Sequence, residues 1–303
     1  MTNDAHTSSA DAGTDEQPVR IGVVGAGPWA SMFHAPLASG GPETTLSGIW
    51  ARRFDAASEL AARHSTTACA SFDELLEVSD AIAFAVPPDV QAELAVRAAE
   101  AGKALLLDKP VSLDVGAAER LADSIAMAGV GSIVVFTMRF AAEVRDFLAA
   151  SRRLDPVGAQ LTMVTSAFLS GAFSASPWRH ERGAVMDLGP HAIDLVTAAV
   201  GPAGAITSRR SRDGWVSISI EHENGAISDL SLSGAACGDQ PPRVTVWGRQ
   251  EMAEFSWADG VDEQRQVDTL RSEFAVVART GAAHECDVRR GLEVQRWLAA
   301  ADD

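Results

Sequence analysis

The chain has 303 residues and a formal net charge of −16, with 47% hydrophobic and 22% charged residues. This composition is typical of a soluble globular protein, and the length predicts two domains. The acidic balance makes nucleic acid and acidic membranes unsuitable partners, and no apolar run approaches the roughly 18 residues of a membrane span. The three cysteines fit no metal spacing and indicate free thiols in a reducing cytoplasm.

The first part of the chain alternates strands and helices. Residues 1–18 contain no Lys or Arg and no apolar core, which predicts a disordered tail rather than a secretion signal. After the tail, short apolar runs predict strands and periodic stretches predict helices, at 19–24, 28–39, 45–50, 55–64, 81–86, 89–101, 105–107, 114–128 and 132–136. Continuous apolar strands between helices are typical of a parallel sheet covered on both faces. Residues 19–138 are therefore predicted to form a doubly wound Rossmann domain.

The pattern changes in the second part, predicted as residues 139–303. Strands follow one another with only turn residues between them, at 160–168, 205–210, 215–221, 226–232, 243–247 and 251–257. The segment Glu221-His222-Glu223-Asn224-Gly225 is typical of a hairpin, because Asn-Gly suits a tight primed turn. Two helices, at 262–280 and 287–301, end the chain. The fold class is thus α/β plus α+β, the second domain being a substrate and oligomerisation domain built on a largely antiparallel open sheet, with the terminal helices packing back.

A glycine turn, Gly25-Ala26-Gly27-Pro28-Trp29-Ala30, joins the first strand to the first helix. In this context Gly25 permits the tight turn, Gly27 lets the backbone approach a pyrophosphate, and Ala30 allows close helix packing. The turn therefore predicts dinucleotide binding, although a purely structural glycine turn would have the same letters.

The end of the second strand indicates which dinucleotide is bound. NAD sites usually place Asp or Glu there, but this chain has Trp50-Ala51-Arg52-Arg53 and no acid before Asp55. Two guanidinium groups suit a 2′-phosphate, so NADP is the predicted cofactor and NAD remains possible. The alternative is a pair of solvated arginines at a helix start.

Three further residues could handle a proton. Only Lys103 and Lys109 are lysines among 25 basic residues, and Lys109 lies at the carboxyl end of a parallel strand, where ligands bind. Asp187 and His191 are four residues apart and would share one face of a helix beginning at residues 186–189. An ammonium, a carboxylate and an imidazole together form a plausible acid–base set.

These segments together resemble the glucose–fructose oxidoreductase, inositol dehydrogenase and MocA-like family over residues 19–301. Asp108-Lys109-Pro110 is similar to the family's Glu-Lys-Pro, and residues 183–191 are similar to its glycines followed by Asp-x-Gly-x-His. The stretch Phe33-His34-Ala35-Pro36-Leu37 is similar to NADP-linked members. The sequence departs from the family pattern at Asp108, at Pro28, and at Gln91, where many members have His.

The resemblance implies hydride transfer between nicotinamide and a polyol, sugar, cyclitol or related carbonyl compound. It assigns Lys109 to the reacting hydroxyl, His191 to acid–base exchange of its proton, and Asp187 to a neighbouring hydroxyl or to orienting the other two. Arg179 and His180 are predicted substrate contacts, or else members of an interface loop. The predicted cofactor-binding residues are Gly25, Gly27, Pro28, Trp29, Ala30, Ala51, Arg52, Arg53, Pro87, Pro88, Asp108 and Lys109; no metal is expected.

Two alternative functions and one assembly are also consistent with the sequence. NAD-dependent glycosidase-type chemistry occurs on the same fold, and a non-catalytic NADP-binding redox sensor would need the glycine turn without the Lys–Asp–His set. The family resemblance implies pairing through the open face of the second sheet, and an exposed apolar sheet face is a liability for a monomer, so a homodimer or homotetramer is expected.

Overall fold

A parallel sheet forms the first half of the structure, a computed structural model that describes residues 17–174, 176–238 and 240–302. Nearly all of the tail predicted for residues 1–18 lies outside these ranges. The five strands are β1 (Val19–Val24), β2 (Thr44–Trp50), β3 (Ala81–Phe84), β4 (Ala104–Leu107) and β5 (Ser132–Val134). They pair in the order β2-β1-β3-β4-β5, and every pair is parallel. A single parallel bridge between Ile49 and Ala68 adds one more position beyond β2, which completes the strand order of dinucleotide-binding folds.

Helices connect these strands and cover the sheet. They are α1 (Ala35–Ser39), α2 (Phe54–Arg63), α3 (Phe72–Val78), α4 (Pro88–Glu100) and α5 (Val115–Ala128). The helix predicted at 28–39 is confirmed, but its middle, Ala30–His34, is a π-helical turn that runs into α1. The short α3 was not predicted. Its signal is a capping box, because the Ser71 side chain accepts a bond from the Glu74 N–H.

The second sheet has six strands in the order β11-β10-β6-β9-β8-β7. Their bounds are β6 (Pro156–Val164), β7 (Ala203–Arg210), β8 (Val216–His222), β9 (Ile227–Ser233), β10 (Gln240–Gly248) and β11 (Met252–Ser256). Only β6 and β9 are parallel, so the largely antiparallel sheet is confirmed, as is the Asn224-Gly225 hairpin between β8 and β9. The strand predicted at 160–168 was placed four residues too late, and the regular register of β6 with β9 ends where Val164 pairs with Ser233.

The remaining helices join the two sheets. α6 (Ala142–Ser151), which was not predicted, contacts β11, while α7 (Pro177–Asp187) leads into α8 (Gly189–Val200) under the second sheet. The terminal helices α9 (Glu263–Thr280) and α10 (Val288–Asp302) contact the first sheet, at β1, β4 and β5 for α9 and at β5 for α10. Among the helices of the described ranges, none has the length and apolar character that crossing a membrane requires.

A buried ion network ties these parts together. Arg139, just after β5, is buried and donates to Asp194 of α8 at 3.0 Å. Arg290 of α10 donates to the same carboxylate at 2.7 Å. Arg139 is therefore a structural ion-pair residue, and the network holds α8 against both the first sheet and the terminal helix.

Candidate active site

A continuous cleft runs along the carboxyl ends of β1 to β4, the edge at which ligands bind in parallel sheets. Its outer cavity, of about 480 Å³, is lined by the turn after β1 and the segment after β2. Its inner cavity, of about 350 Å³, lies between the first sheet and residues 172–173 and 176–179, before and within α7. Both cavities include Gly27 and residues 85–87, so one elongated ligand could span them.

The predicted cofactor-binding residues gather along this cleft, with one exception. Ala30 is fully buried in the hydrophobic core and lines neither cavity. The others line the outer or the inner cavity: Gly25, Gly27, Pro28, Trp29, Ala51, Arg52, Arg53, Pro87, Pro88, Asp108 and Lys109.

The glycine turn has the shape that a dinucleotide requires. Gly25 has φ +115°, and a Cβ there would lie 2.4 Å from the carbonyl oxygen of Ala85, so only glycine fits. At Gly27 no atom lies within 4 Å of where a Cβ would stand, and the helix begins immediately afterwards. A phosphate group can therefore approach the backbone at the positive end of the helix.

Arginines surround the outer cavity near β2. Arg52 and Arg53 are both exposed and line it, and no carboxylate does. Arg53 also borders an adjoining hollow, the arginine hollow, together with Ser31 and Arg63. Arg63, at the end of α2, donates to the Ser31 hydroxyl at 3.2 Å. Sequence reasoning missed Arg63, because its approach to the cleft depends on how α2 packs beside the glycine-turn helix.

Two carboxylates, Asp55 and Glu59, line the same hollow. Both are exposed at the surface of α2. The arginine hollow thus has charges of both signs, whereas the charged side chains that line the outer cavity, among the described residues, are both cationic.

Lys109 occupies the inner cavity and contacts Asp187. Its Nζ donates to the Asp187 carbonyl at 2.7 Å and to Oδ1 of the same residue at 3.1 Å. Arg179 Nε donates to that Oδ1 at 3.1 Å from the opposite direction. Burial by itself would raise the pKa of Asp187, but the two cations and their hydrogen bonds hold it below its ordinary value. Asp187 is therefore an anion that links Lys109 to Arg179.

His191 lies behind this group. It is partly buried, it does not line the inner cavity, and its Nδ1 is buried with no hydrogen-bond partner among the described residues. Burial, reinforced by the charge of Lys109, lowers the pKa of His191 to about 3. The imidazole is accordingly neutral at physiological pH, and its lowered pKa makes it a weaker base than an exposed histidine.

The prediction that Asp187 and His191 share one helix is wrong. Asp187 is the last residue of α7, Leu188 separates the helices, and His191 is the third residue of α8. Pro190 has no N–H to continue the ladder of helical hydrogen bonds, which explains the interruption. Gly183, with φ +68°, breaks α7 one turn earlier, so Asp187 ends a short separate turn directed at Lys109.

The two predicted substrate residues have different surroundings. Arg179 lines the inner cavity with its guanidinium 4.8 Å from the Phe173 ring centre and 4.6 Å from that of Trp178. His180 is exposed, contacts the Ser174 carbonyl, and does not line the cavity. The structure thus brings Arg179 to the site and leaves His180 outside it.

The loop that carries Lys109 is held from beneath. Gln91 is fully buried in the first turn of α4, and its carboxamide bonds to the backbone of Asp108 on both sides. Burial raises the pKa of Asp108 to about 6, against the influence of Lys109, whose N–H donates to the Asp108 carboxylate at 2.8 Å.

Within the described ranges, no three His, Cys, Asp or Glu side chains are grouped to hold a metal ion.

Comparison with known proteins identifies the fold and the family. The chain matches the model described as "Oxidoreductase family, NAD-binding Rossmann fold" at residues 19–136 and "GFO/IDH/MocA C-terminal domain" at residues 157–254. The solved structure of GenD2 from gentamicin A biosynthesis in complex with NAD is similar, with TM-score 0.82 and 20% identity. The match covers 99% of this chain and 95% of the GenD2 chain. UDP-N-acetylglucosamine 3-dehydrogenase GnnA from Acidithiobacillus ferrooxidans has TM-score 0.81 and 18% identity, with coverages of 95% and 99%.

Two curated relatives are similar in sequence. A dTDP-3,4-didehydro-2,6-dideoxy-alpha-D-glucose 3-reductase of Actinomadura kijaniata is 34% identical over 34% of this chain, a match that spans only 32% of that relative's length. Inositol 2-dehydrogenase of Rhizobium meliloti (strain 1021) is 28% identical over 76% of this chain and 73% of its own length. The chain belongs to the GFO/IDH/MocA oxidoreductase family and contains its NAD(P)-binding Rossmann domain.

Proposed function

We propose that the protein transfers a hydride between nicotinamide and a hydroxyl-bearing carbon of a sugar, polyol, cyclitol or related carbonyl compound. The observation that carries this proposal is the position of Lys109, at the inner end of the dinucleotide cleft with its Nζ on Asp187. Relatives named as an inositol dehydrogenase and a deoxysugar reductase support the substrate class. No observation at the site specifically supports either alternative function, NAD-dependent glycosidase-type chemistry or a non-catalytic redox sensor.

The side chains around the inner cavity can handle the hydroxyl proton. Two of the three Lys109 ammonium protons are directed to Asp187, which leaves one for a substrate oxygen. That hydrogen bond strengthens as negative charge develops on the oxygen, so Lys109 is the proposed proton-handling group. His191 does not line the inner cavity, and burial lowers its pKa to about 3, which makes its imidazole a weak base. When bound, nicotinamide supplies or accepts the hydride.

The walls of the inner cavity suit a compact substrate. Its volume of about 350 Å³ is near the lower end for small-molecule sites. Trp29 stacks on Phe33 at 4.5 Å and meets the edge of Phe173 at 6.3 Å, so aromatic faces flank the space beside Lys109. Apolar walls with a few convergent polar groups fit a ring with one C–H face and several hydroxyls.

We further propose that NADP is the preferred cofactor, because Arg52, Arg53 and Arg63 surround the place where a 2′-phosphate would lie. The double substitution Arg52→Ala with Arg53→Ala is expected to weaken NADPH binding about 100- to 10,000-fold, since each of the two arginines would lose a charge-assisted hydrogen bond that contributes about 1.5–3 kcal/mol. NADH binding should change less than about threefold, as it has no 2′-phosphate. Fluorescence titration with both cofactors measures the two dissociation constants.

Arg249→Ala is the matched control, because Arg249 is an exposed arginine paired with Asp155 at the end of the second sheet. It should leave both dissociation constants unchanged. Equal affinity of the unsubstituted protein for NADH and NADPH would contradict NADP preference, as would an unaltered NADPH constant in the double variant.

We also propose that two chains pair through the open face of the second sheet. Pairing across the strands places Met252, Trp247, Gly158 and Ile227 in one row. Met252 is 54%, Ile227 50% and Trp247 39% exposed, and such a contiguous apolar row is unfavourable in water.

A reducing, cytoplasmic setting is proposed as well, because all three thiols, including the exposed Cys237, are free.

Trp247→Glu with Ile227→Glu is expected to convert a dimer or tetramer into a smaller species, because two charges would be buried at the pairing face. Sedimentation equilibrium measures the mass. Val276→Glu on α9 is the control, since Val276 is also 54% exposed but lies away from this sheet. A monomeric unsubstituted protein, or a double variant with unchanged mass, would exclude this interface.

A further inference from the structure

The carboxamide of Gln91 bonds to the backbone on both sides of Lys109. Its Oε1 accepts from the Asp108 N–H at 2.8 Å, and its Nε2 lies 2.9 Å from the Asp108 carbonyl. The same Nε2 is 3.2 Å from the Val111 carbonyl and 3.4 Å from that of Pro110. The loop from residue 108 to residue 111 is therefore wrapped around one fully buried side chain.

These contacts require the chemistry of an amide. A carboxamide presents an acceptor and two donor hydrogens in one plane, which matches the N–H and C=O of Asp108 together with a further carbonyl. A carboxylate has no donor, and a hydrocarbon has neither donor nor acceptor. Replacing Gln91 by either of them leaves buried backbone groups unpaired, which favours displacement of the loop.

We propose that Gln91 is the positioning residue for Lys109, an inference that rests on the proposed function. It holds the backbone on either side of Lys109, so that Nζ reaches both the carbonyl and the carboxylate of Asp187. Because these bonds are 2.7 and 3.1 Å long, a shift of the loop by about 1 Å would break them, and misplacements of that size can cost about 100-fold in rate. Gln91 also lines the inner cavity, and the role proposed for it is to position Lys109.

The kinetic test compares Gln91→Leu with Gln266→Leu. Gln266 is a matched control, because it is also buried and donates to a backbone carbonyl, that of Thr137, away from the Lys109 loop. Gln91→Leu is expected to lower kcat about 10- to 100-fold while the cofactor dissociation constant and the substrate KM change less than about threefold. Gln266→Leu should keep all three constants. Equal kcat values for the two variants would overturn the proposal.

A second test needs no turnover, because the chain has only two lysines, Lys103 and Lys109. Lysine labelled with ¹³C at Cε therefore gives two signals in the holoprotein, and Lys103, which donates to the Ser79 carbonyl, is the internal reference. In Gln91→Leu the Lys109 signal is expected to move and the Lys103 signal to stay. An unmoved Lys109 signal would overturn the positioning role.

Gln91→Glu provides the second variant if Gln91→Leu does not fold, because it keeps the shape of the side chain and removes both donors. It is expected to move the Lys109 signal at pH 8 and less so in acid, where a protonated carboxyl regains one donor. If the unsubstituted protein oxidises and reduces none of a polyol and aldehyde panel, the proposed function fails. The lysine signals would still decide the role of Gln91, so the two failures are distinguishable.

Discussion

Lys109→Met is expected to lower kcat/KM about 100- to 10,000-fold, the range that a positioned proton-handling group contributes. The thioether keeps the apolar stem but cannot donate to a substrate oxygen as charge develops there. Asp187 would keep Arg179 as its partner, so the site should retain its shape. Cofactor affinity should change less than about threefold, because the glycine turn and the outer cavity are intact. Steady-state kinetics with the preferred cofactor, paired with a cofactor titration, measure both quantities.

Lys109→Arg separates charge from geometry in the same experiment. A guanidinium preserves the positive charge but is planar and longer, so it cannot place one proton on the substrate while keeping both contacts to Asp187. We expect it to recover less than about a tenth of the lost activity. Lys103→Met, which removes the other lysine, should be fully active. A Lys109→Met enzyme that turns over normally would contradict the proposed role of Lys109, whereas an unsubstituted protein without turnover on a polyol and aldehyde panel would favour the redox-sensor alternative.

Local sequence patterns predicted the strands and helices of the Rossmann domain well, for a physical reason. In a parallel sheet both faces are covered, so each strand is a continuous apolar run, and the turn at Gly25 has no room for any other residue. Short elements were missed where their signal lies in hydrogen bonds rather than in periodicity, as in α3 with its cap at Ser71. The shift of β6 arose because its pairing with β9 is not a local property.

The sequence predicted which residues form the site, but not the contacts and distances between them. Lys109 and Asp187 are 78 residues apart, and no spacing indicates that the ammonium would bond to the Asp187 carbonyl as well as the carboxylate. Gln91 was visible only as a departure from a family pattern, whereas its function depends on a loop 17 residues further on. The neutral state of His191 follows from burial, which composition cannot report.

The π-helical turn also buries a titratable group that no part of the proposed mechanism uses. His34 has no exposed surface, and neither ring nitrogen has a hydrogen-bond partner among the described residues. Its ring stands edge-on to Trp29 and Phe33, with centroid distances of 6.2 and 5.3 Å. Burial lowers the pKa of His34 to about 3. Since the unfolded chain binds a proton near pH 6.5, stability must fall as the pH falls through the window between these values.

His34→Leu is therefore expected to stabilise the protein, and to do so more in acid. Removing two unpaired buried nitrogens should contribute about 1–3 kcal/mol at any pH. At pH 5 the unsubstituted protein should lose about a further 2 kcal/mol through the lowered pKa of His34, a loss that the variant does not have. Urea unfolding of both proteins at pH 8 and pH 5 gives the two differences in unfolding free energy.

Comparing the two proteins isolates His34, because the other titrating groups are common to both. Among them, His191 has the same sign, and Asp108, with its raised pKa, has the opposite sign, being stabilising below about pH 6. Gln266→Leu is the control, since it removes a buried side chain that does not titrate and should shift stability equally at both pH values. If the gain from His34→Leu is the same at pH 5 as at pH 8, the fold does not hold this histidine neutral, and the prediction is wrong.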